Sequence, residues 1–477
     1  MDNVAERNDR RWYVLLTVGI GTFLSSLNTS ITNTVLPVIE RELHITLGQS
    51  EWVALIYLLV LTLFLLPIGR MSDSWGHRQI FLVGFAFYSC AAVMCGLSEN
   101  YISLVWGRAF LGLAGAMILS IGPAIITTTF PAEQRGRVLG IQAIMTYIGL
   151  SIGPALGGLL TQIWGWQVTF FVTVPFAMVG LVLGIWAVPQ VEVKQTKRID
   201  LKGILLFMIG MATATLLLNT SFITRHRALI ITLLLIVFAS AAWAFQKLER
   251  KQLDPMLDLK LFRIRNFGFG TFSIALNYLC IYLPLFLLPF YLDRVLHLSA
   301  AEIGIYMTIT PLVMTICAPI SGALSDSKGP RLLATLGMIF STAGLILFGI
   351  MIPAFGEHAY WTLIVGLILT GLGTGTFVAP SNSAVMGAVH YQQQGTASGT
   401  LATFRYMGMM AGITVGGSLF HSLLNNMAPS ATSIQGFLYA FSLVMWVGVV
   451  FGVIGIGCTL ALTQLKPKSM ASSTDDK

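Results

Sequence analysis

Two arginines, Arg108 and Arg405, lie inside long apolar runs of the sequence. If these runs cross a membrane, a charge at mid-bilayer costs about 2.5–3.5 kcal/mol on insertion scales, so each guanidinium must face a cavity or a partner. At ~1.5 Å per residue, Arg405 is about 15 Å into its run and near the midplane, whereas Arg108 is only about 9 Å from the end of its run. We interpret Arg405 as a cavity residue. For Arg108, a cavity role and the capping of backbone carbonyls are equal alternatives.

The twenty carboxylates follow a different pattern, because all of them fall in or beside the polar breaks between the apolar runs. Proton coupling requires a titratable group that both states of a cavity can reach. We therefore expect no buried carboxylate, and the candidates for coupling are groups at the ends of runs: Glu51, Asp293 and Glu302.

The first apolar run carries a polar stripe. Its members recur at helical spacing and can line one helix face: Thr22, Ser25, Asn28, Thr29, Thr32 and Asn33. We predict that Asn28 accepts a hydrogen bond from Arg108. The candidate cavity residues are therefore Asn28, Asn33, Arg108, Tyr147, Asn277, Tyr278, Arg405 and Tyr406.

The elements that must position these side chains are membrane helices. Hydrophobic residues make up 55% of the chain and charged residues only 10%, against roughly 25% charged residues in globular domains. Fourteen apolar runs of spanning length predict an all-α polytopic membrane protein. They are residues 12–36, 51–70, 79–97, 102–129, 137–162, 167–188, 200–219, 227–246, 266–291, 301–324, 331–353, 360–387, 395–424 and 435–463.

Several other classes of protein are excluded. The five cysteines all lie in apolar runs, and no metal-ligand spacing, nucleophile–base pair or clustered His and Asp residues occur within the runs. We expect neither an enzyme nor a cofactor or metal site. The first run is too long for a cleavable signal and lacks a small-residue cleavage site.

The net charge of +8 follows from topology. With the N-terminus placed in the cytoplasm, 22 Lys and Arg residues fall in cytoplasmic segments and 4 on the opposite side, the positive-inside asymmetry of helical membrane proteins. We predict cytoplasmic N- and C-termini, a bacterial plasma (inner) membrane location and no binding of nucleic acid.

An internal repeat divides the chain into two halves. Residues 69–78 and 322–331 share six of ten positions at an offset of 253. At an offset of 259, Tyr147 and the glycines of residues 149–158 recur as Tyr406 and the glycines of residues 408–417, and Gly112 recurs as Gly371. The repeat predicts two pseudo-symmetric six-helix bundles, residues 1–190 and 261–477, with two unmatched helices within residues 191–260.

The repeated positions are candidates for gating, since glycines allow close helix contacts and bending. The charged loops either latch one side of the bundle or only anchor it at the lipid headgroups, and we favour the latch. We expect Asp73 to cap the following turn and Arg78 to bind helix carbonyls or a carboxylate. The gating set is Gly69, Asp73, Gly76, Arg78, Gly153, Pro154, Gly157, Gly158, Gly322, Asp326, Gly329 and Arg331.

These motifs resemble those of the major facilitator superfamily, and within it the fourteen-helix drug:proton antiporter branch. Residues 69–78 are similar to its loop motif, residues 149–158 to its fifth-helix motif, and Arg108 with Gly112 to its fourth-helix motif, with Leu111 where Gln is usual. Residues 200–203 and 255–262 point to the same branch. In the first helix, Asn28 stands where the branch usually has a titratable Asp.

The resemblance implies alternating access and the export of small amphipathic compounds by a protein that we expect to be a monomer. Protons are a candidate coupling ion, although Asn28 cannot titrate. The buried arginines favour neutral or anionic substrates over cations. Two alternatives stay open: a differently coupled or uncoupled carrier of an anionic metabolite or lipid, and a membrane receptor or sensor that does not transport.

Overall fold

The computed structural model describes residues 2–190, 200–219, 227–250, 257–355, 360–390, 393–426 and 434–463. Within these ranges the chain forms fifteen α-helices, one short 3₁₀ helix and no strand. The α-helices are α1 (Asp2–Glu42), α2 (Leu47–Trp75), α3 (His77–Gly96), α4 (Tyr101–Thr129), α5 (Ala132–Trp164), α6 (Val168–Phe171), α7 (Thr173–Ala187), α8 (Leu201–Leu218), α9 (Arg227–Glu249), α10 (Arg265–Arg294), α11 (Ala300–Lys328), α12 (Pro330–Phe355), α13 (Tyr360–Met386), α14 (Gln394–Asn426) and α15 (Ile434–Leu460). The 3₁₀ helix is Leu259–Arg263.

These helices supply fourteen segments that are long and apolar enough to cross a membrane, with α6 and α7 together forming the sixth. Helices suit these sequences because a lipid-exposed backbone must satisfy its own hydrogen bonds. The predicted spans are confirmed, with one clear difference at α1. This helix continues through Pro37 to Glu42 rather than ending at residue 36.

The two halves meet mainly where α5 packs on α11 and α2 packs on α14. Helix α1 also contacts α10 and α11. The unmatched helices α8 and α9 pack on each other, and α8 contacts both α2 of the first half and α14 of the second. The extra pair therefore lies beside a seam between the halves.

The repeat seen in the sequence is also a repeat of contacts. Gly76 and Gly329 occupy equivalent loop positions and have φ of 95° and 85°, a region that favours glycine. A β-carbon on Gly112 would lie 2.5 Å from the carbonyl oxygen of Tyr57, and one on Gly371 would lie 2.6 Å from that of Thr310. Tyr57 and Thr310 are themselves 253 positions apart, so equivalent glycines contact equivalent carbonyls.

The described ion pairs between the halves lie at one end of the bundle, which we call the first-loop end because residues 43–46 join α1 to α2 there. The opposite end, which carries residues 2 and 463, is called the terminal end. At the first-loop end Arg294 binds Glu40 at 2.5 Å and Arg41 binds Asp293 at 3.4 Å. The backbone N–H of Ala301 also donates to Gln162 at 3.2 Å. The first-loop end is therefore closed.

Candidate substrate site between the two halves

Arg108 is held inside the first half by three groups. Its side chain is almost fully buried (1% exposed) on α4. One guanidinium nitrogen donates to the side-chain oxygen of Asn28 on α1, and Nε donates to the carbonyl of Val53 on α2 at 2.9 Å. The guanidinium also lies 4.7 Å from the centre of the Tyr57 ring. The predicted Asn28–Arg108 hydrogen bond is confirmed, and Arg108 caps a backbone carbonyl as well.

The polar stripe on α1 faces the interior as predicted. Ser25 shares a 2.6 Å hydrogen bond with the hydroxyl of Tyr57, and Gln142 of α5 donates to Thr22 at 3.2 Å. The hydroxyls of Thr29 and Thr32 bond to carbonyls one turn earlier on the same helix, which satisfies them locally. Asn33 is also buried, and its amide nitrogen has no hydrogen-bond partner among the described atoms.

Arg405 lies on α14 in the second half and is only half-buried. Its guanidinium is 5.5 Å from the centre of the Tyr278 ring, and its Nε has no hydrogen-bond partner among the described atoms. The tyrosines within electrostatic range of Arg405 are Tyr147, Tyr278, Tyr282 and Tyr406. Since Tyr147 belongs to α5, this cluster joins the two halves.

Tyr57 and Tyr282 complete the arrangement, and the sequence analysis missed both. Tyr282 is buried on α10 within electrostatic range of Tyr57, as is Tyr406. The sequence carried an indirect signal for Tyr57. Gly112 and Gly115 of α4 leave room for a neighbouring side chain, and both pack against Tyr57. The group is called the arginine–tyrosine cluster below and comprises Tyr57, Arg108, Tyr147, Tyr278, Tyr282, Arg405 and Tyr406.

Asn277 does not join this cluster through any described contact. Its side chain is fully buried and donates to Ser341 at 3.2 Å and to the sulfur of Met338 at 3.3 Å, both on α12. Helix α12 belongs to the second half, so Asn277 serves packing within that half. The side chain of its neighbour Tyr278 lies about 100° further around the helix and is next to Arg405.

The predicted gating loops are only partly as expected. Arg78 donates to the carbonyl of Ile185 in the last turn of α7 at 2.6 Å, which confirms its contact with helix carbonyls. Asp73 does not cap a following turn. It lies inside α2, 3.8 Å from His77, and α3 begins without a side-chain cap. The side chain of Asp326 lies outside the described atoms.

The glycines of α5 and α14 pack in matching ways. Gly149 and Gly153 contact α1, and their counterparts Gly408 and Gly412 contact α10. The last glycine of each motif reaches the other half instead. Gly158 contacts Ala300 and Gly304 of α11, and Gly417 contacts Glu51 of α2. Pro154 also takes part, since its carbonyl lies against Gly304.

The three coupling candidates have different environments. Glu302 is exposed and forms a capping box with Ser299 at the start of α11, so its carboxylate stabilises the beginning of that helix. Asp293 pairs with Arg41 across the first-loop end. Glu51 is fully buried, with 0% exposure, against α8 and α14. The expectation of no buried carboxylate was therefore wrong, because it judged Glu51 by its position near a helix end.

Two pseudo-symmetric six-helix bundles with a polar, basic cluster at their interface define a membrane transporter. A family model described as "Major Facilitator Superfamily" matches residues 18–264 and 270–475, and the chain belongs to this superfamily. Its membership makes the protein a transporter and not an enzyme.

Similar proteins have varied named substrates. The chain is 30% identical to the riboflavin transporter RibZ of Clostridioides difficile, over 97% of this chain and 100% of that protein. It is 27% identical to the multidrug resistance protein Stp of Mycobacterium tuberculosis, over 88% of this chain and 77% of that protein. It is 28% identical to the tetracenomycin C resistance and export protein of Streptomyces glaucescens, over 88% and 78%.

A solved structure has the same fold. The crystal structure of a bacterial homologue of the human lysosomal transporter Spinster, in an inward-facing and unoccupied conformation, superposes with a TM-score of 0.67. The match covers 97% of this chain and 99% of that chain at 15% sequence identity.

Proposed function

We propose that this protein exports small amphipathic compounds from the bacterial cytoplasm by alternating access, with both termini in the cytoplasm. The terminal end then faces the cytoplasm and the closed first-loop end faces outward. The observation that carries this proposal is the position of Arg405. The residue is half-buried, its Nε has no hydrogen-bond partner among the described atoms, and the first-loop end is joined by ion pairs between the halves.

The chemistry of the arginine–tyrosine cluster favours a neutral or anionic aromatic substrate. Five tyrosine rings offer apolar faces with hydroxyl groups at their rims, and an arginine guanidinium stacks on an aromatic ring or binds a carboxylate. The electrostatic partners resolved for Arg405 are tyrosines. A cationic substrate would therefore meet repulsion from Arg405 without a compensating carboxylate.

A transporter of riboflavin is a second candidate, supported by the relative that is 30% identical over nearly the whole chain. Riboflavin is neutral and has a planar ring system that suits stacking between tyrosines and arginine. Both candidates use the same site and differ in their substrate. The multidrug resistance and export proteins among the relatives favour the first candidate.

Flux measured in proteoliposomes tests the proposal. Riboflavin, the anion fluorescein and the cation ethidium are compared with and without a pH gradient. We expect transport of neutral or anionic aromatic compounds and a loss of roughly tenfold or more in apparent affinity in Arg405→Ala, which corresponds to about 1.4 kcal/mol. The control is Arg263→Ala, since Arg263 is exposed on the 3₁₀ helix.

Three outcomes would contradict the proposal in different ways. Selective, proton-driven transport of ethidium would overturn the charge argument. Transport of an anion that is insensitive to the pH gradient and runs in either direction would indicate an uncoupled carrier. Substrate binding without flux would indicate a receptor or sensor.

A further inference from the structure

Glu51 is a buried carboxylate at a junction of three parts of the molecule. It lies in the second turn of α2 and is fully buried. Its Oε1 accepts a hydrogen bond of 2.7 Å from the side-chain amide of Asn219, which follows α8 of the extra helix pair. Its Oε2 packs so closely against Gly417 of α14 that a β-carbon there would overlap it. The carboxyl thus touches the first half, the extra helices and the second half.

Comparison of the two halves shows that packing does not require an acid at this position. An offset of 253 residues relates α2 to α11, so the counterpart of Glu51 is Gly304. Gly158 contacts Gly304, and its own counterpart Gly417 contacts Glu51. The same contact is therefore made by two glycines on one side of the pseudo-symmetry axis, and by a glycine and a glutamate on the other.

Among the described residues, the groups that face Glu51 include no arginine or lysine to balance a negative charge. Besides Asn219, Ser418 of α14 interacts with the carboxyl, and Tyr101 of α4 lies within electrostatic range. His421 lies one helical turn beyond Gly417 on α14. Arginine and lysine are absent from the electrostatic partners resolved for Glu51 among the described residues, and Oε2 accepts no hydrogen bond from a described atom.

We propose that Glu51 is a proton-binding site, and that the first-loop end closes only when its carboxyl carries a proton. A neutral carboxyl can be buried against Gly417 because it carries no net charge. An ionised carboxylate without a cation is costly to bury. It regains water when α14 moves away from α2. Closure thus takes up one proton, and opening releases it.

The extra helix pair has a role in this scheme. Asn219, which follows α8, donates a hydrogen bond to one carboxyl oxygen of Glu51. The carboxyl therefore stays oriented towards α14 as the halves part. In the orientation of the proposed function, on which this step rests, the first-loop end faces outward, so protons reach Glu51 from outside and return there. Acid outside should therefore favour the closed state. This is a pH-sensitive gate and does not by itself move protons across the membrane.

Infrared difference spectroscopy on purified protein in lipid nanodiscs tests the protonation directly. Near neutral pH, we expect the carbonyl stretch of a protonated carboxyl in wild-type protein and its loss in Glu51→Gln. The matched control is Glu99→Gln, since Glu99 is exposed at the same end of the bundle, and it should keep the band. A band that survives Glu51→Gln, or that is absent from wild-type protein, would overturn the proposal.

The gate itself is tested by distances between spin labels. Labels at Glu42→Cys and His297→Cys, both exposed and in opposite halves, span the first-loop end. Cys90 and Cys317 are replaced by serine because the other three cysteines are buried. Between about pH 5 and about pH 9, a range that covers the titration of buried carboxyls, we expect the open population to rise several-fold in wild-type protein. Glu51→Gln should stay closed.

His421 is a competing source of pH dependence beside Glu51. If the pH dependence persists in Glu51→Gln and disappears in His421→Asn, the proposal is wrong. If it disappears in Glu51→Gln and persists in His421→Asn, the proposal is supported. Neither experiment needs a substrate, so a failure to find transported compounds would count against the proposed function alone.

Discussion

At the scale of the residue, Asn28 and Arg108 show how a buried cation is kept in an apolar bundle. The guanidinium is satisfied by an amide oxygen, a backbone carbonyl and the face of Tyr57. Such hydrogen bonds to a charged group are each worth about 1.5–3 kcal/mol. Asn28 supplies an oxygen acceptor, as an aspartate would, but its side chain does not titrate. Arg108 is therefore held by the surrounding helices, whereas the Nε of Arg405 has no hydrogen-bond partner among the described atoms.

Two buried asparagines on α1 form a matched pair for testing this view. Asn28→Asp places a carboxylate against Arg108, so we expect the protein to fold with little loss of thermal stability and its transport to acquire a new pH dependence. Asn33→Asp places a carboxylate where the amide nitrogen has no described partner, and an unpaired buried charge is strongly destabilising. Thermal unfolding at about pH 8 should separate the two variants.

If Asn28→Asp is as destabilised as Asn33→Asp, Arg108 does not neutralise the new carboxylate. If Asn28→Asp leaves the pH dependence of transport unchanged, the pairing of residues 28 and 108 has no effect on function.

At the scale of the element, the glycines of α5 make two kinds of helix contact, one within the first half and one with the second half. Gly149 and Gly153 allow α5 to pack closely on α1 within the first half, and Gly158 allows it to meet α11 of the second half. In the proposed transport cycle the halves part when the transporter opens, so we expect the contact at Gly158 to belong to the moving interface. Gly140 lies on the same helix and has no neighbouring atom within 4 Å of a β-carbon.

We expect Gly158→Ala to open the first-loop end. Its methyl group would overlap the carbonyl oxygen of Ala300, and overpacking of this kind costs about 1–3 kcal/mol. The cost falls only on the closed state, so the ratio of closed to open populations should drop by roughly tenfold, which corresponds to about 1.4 kcal/mol. Spin-label distances across the first-loop end measure this population.

Gly140→Ala is the control for Gly158→Ala and should leave the closed population unchanged. Equal effects of the two substitutions would place their cause in α5 itself and not in the interface between the halves.

At the scale of the whole molecule, two ion pairs join the halves at the first-loop end. Arg294 with Glu40 and Arg41 with Asp293 cross between α10 and α1. Exposed ion pairs contribute about 0.2–1 kcal/mol each, so they bias the equilibrium between closed and open states without locking it. A modest bias of this size suits a transporter that must cycle between the two states.

A charge exchange tests this bias. Arg294→Glu places two acids together and should lower the closed population several-fold, whereas Arg294→Glu combined with Glu40→Arg should restore most of it. The effect should shrink as salt is raised, because the groups are partly exposed and are screened. A double variant that behaves like the single variant would show that the Arg294–Glu40 pair does not help to close the first-loop end.

Much of the architecture could be predicted because its signals are local in the sequence. The fourteen spans follow from apolar runs, the two halves follow from repeated glycines and loop residues, and the stripe on α1 follows from helical spacing. The hydrogen bond from Arg108 to Asn28 was also predictable, since each residue needs a polar partner in an apolar bundle. In contrast, the contacts of Asn277 with α12 could not be predicted, because spacing does not tell which neighbouring helix a buried side chain faces.

The sequence by itself determined the class of fold, the pseudo-symmetry and the presence of two charges within the membrane, because hydrophobicity and repetition are properties of the chain alone. Only the tertiary structure decided that Tyr57 and Tyr282 join the arginine–tyrosine cluster and that Glu51 is buried. The burial of Glu51 depends on Asn219, which is 168 positions away in the chain, and on Gly417 in the other half. A residue near a helix end is solvated or buried according to what packs over it, and no local pattern records that.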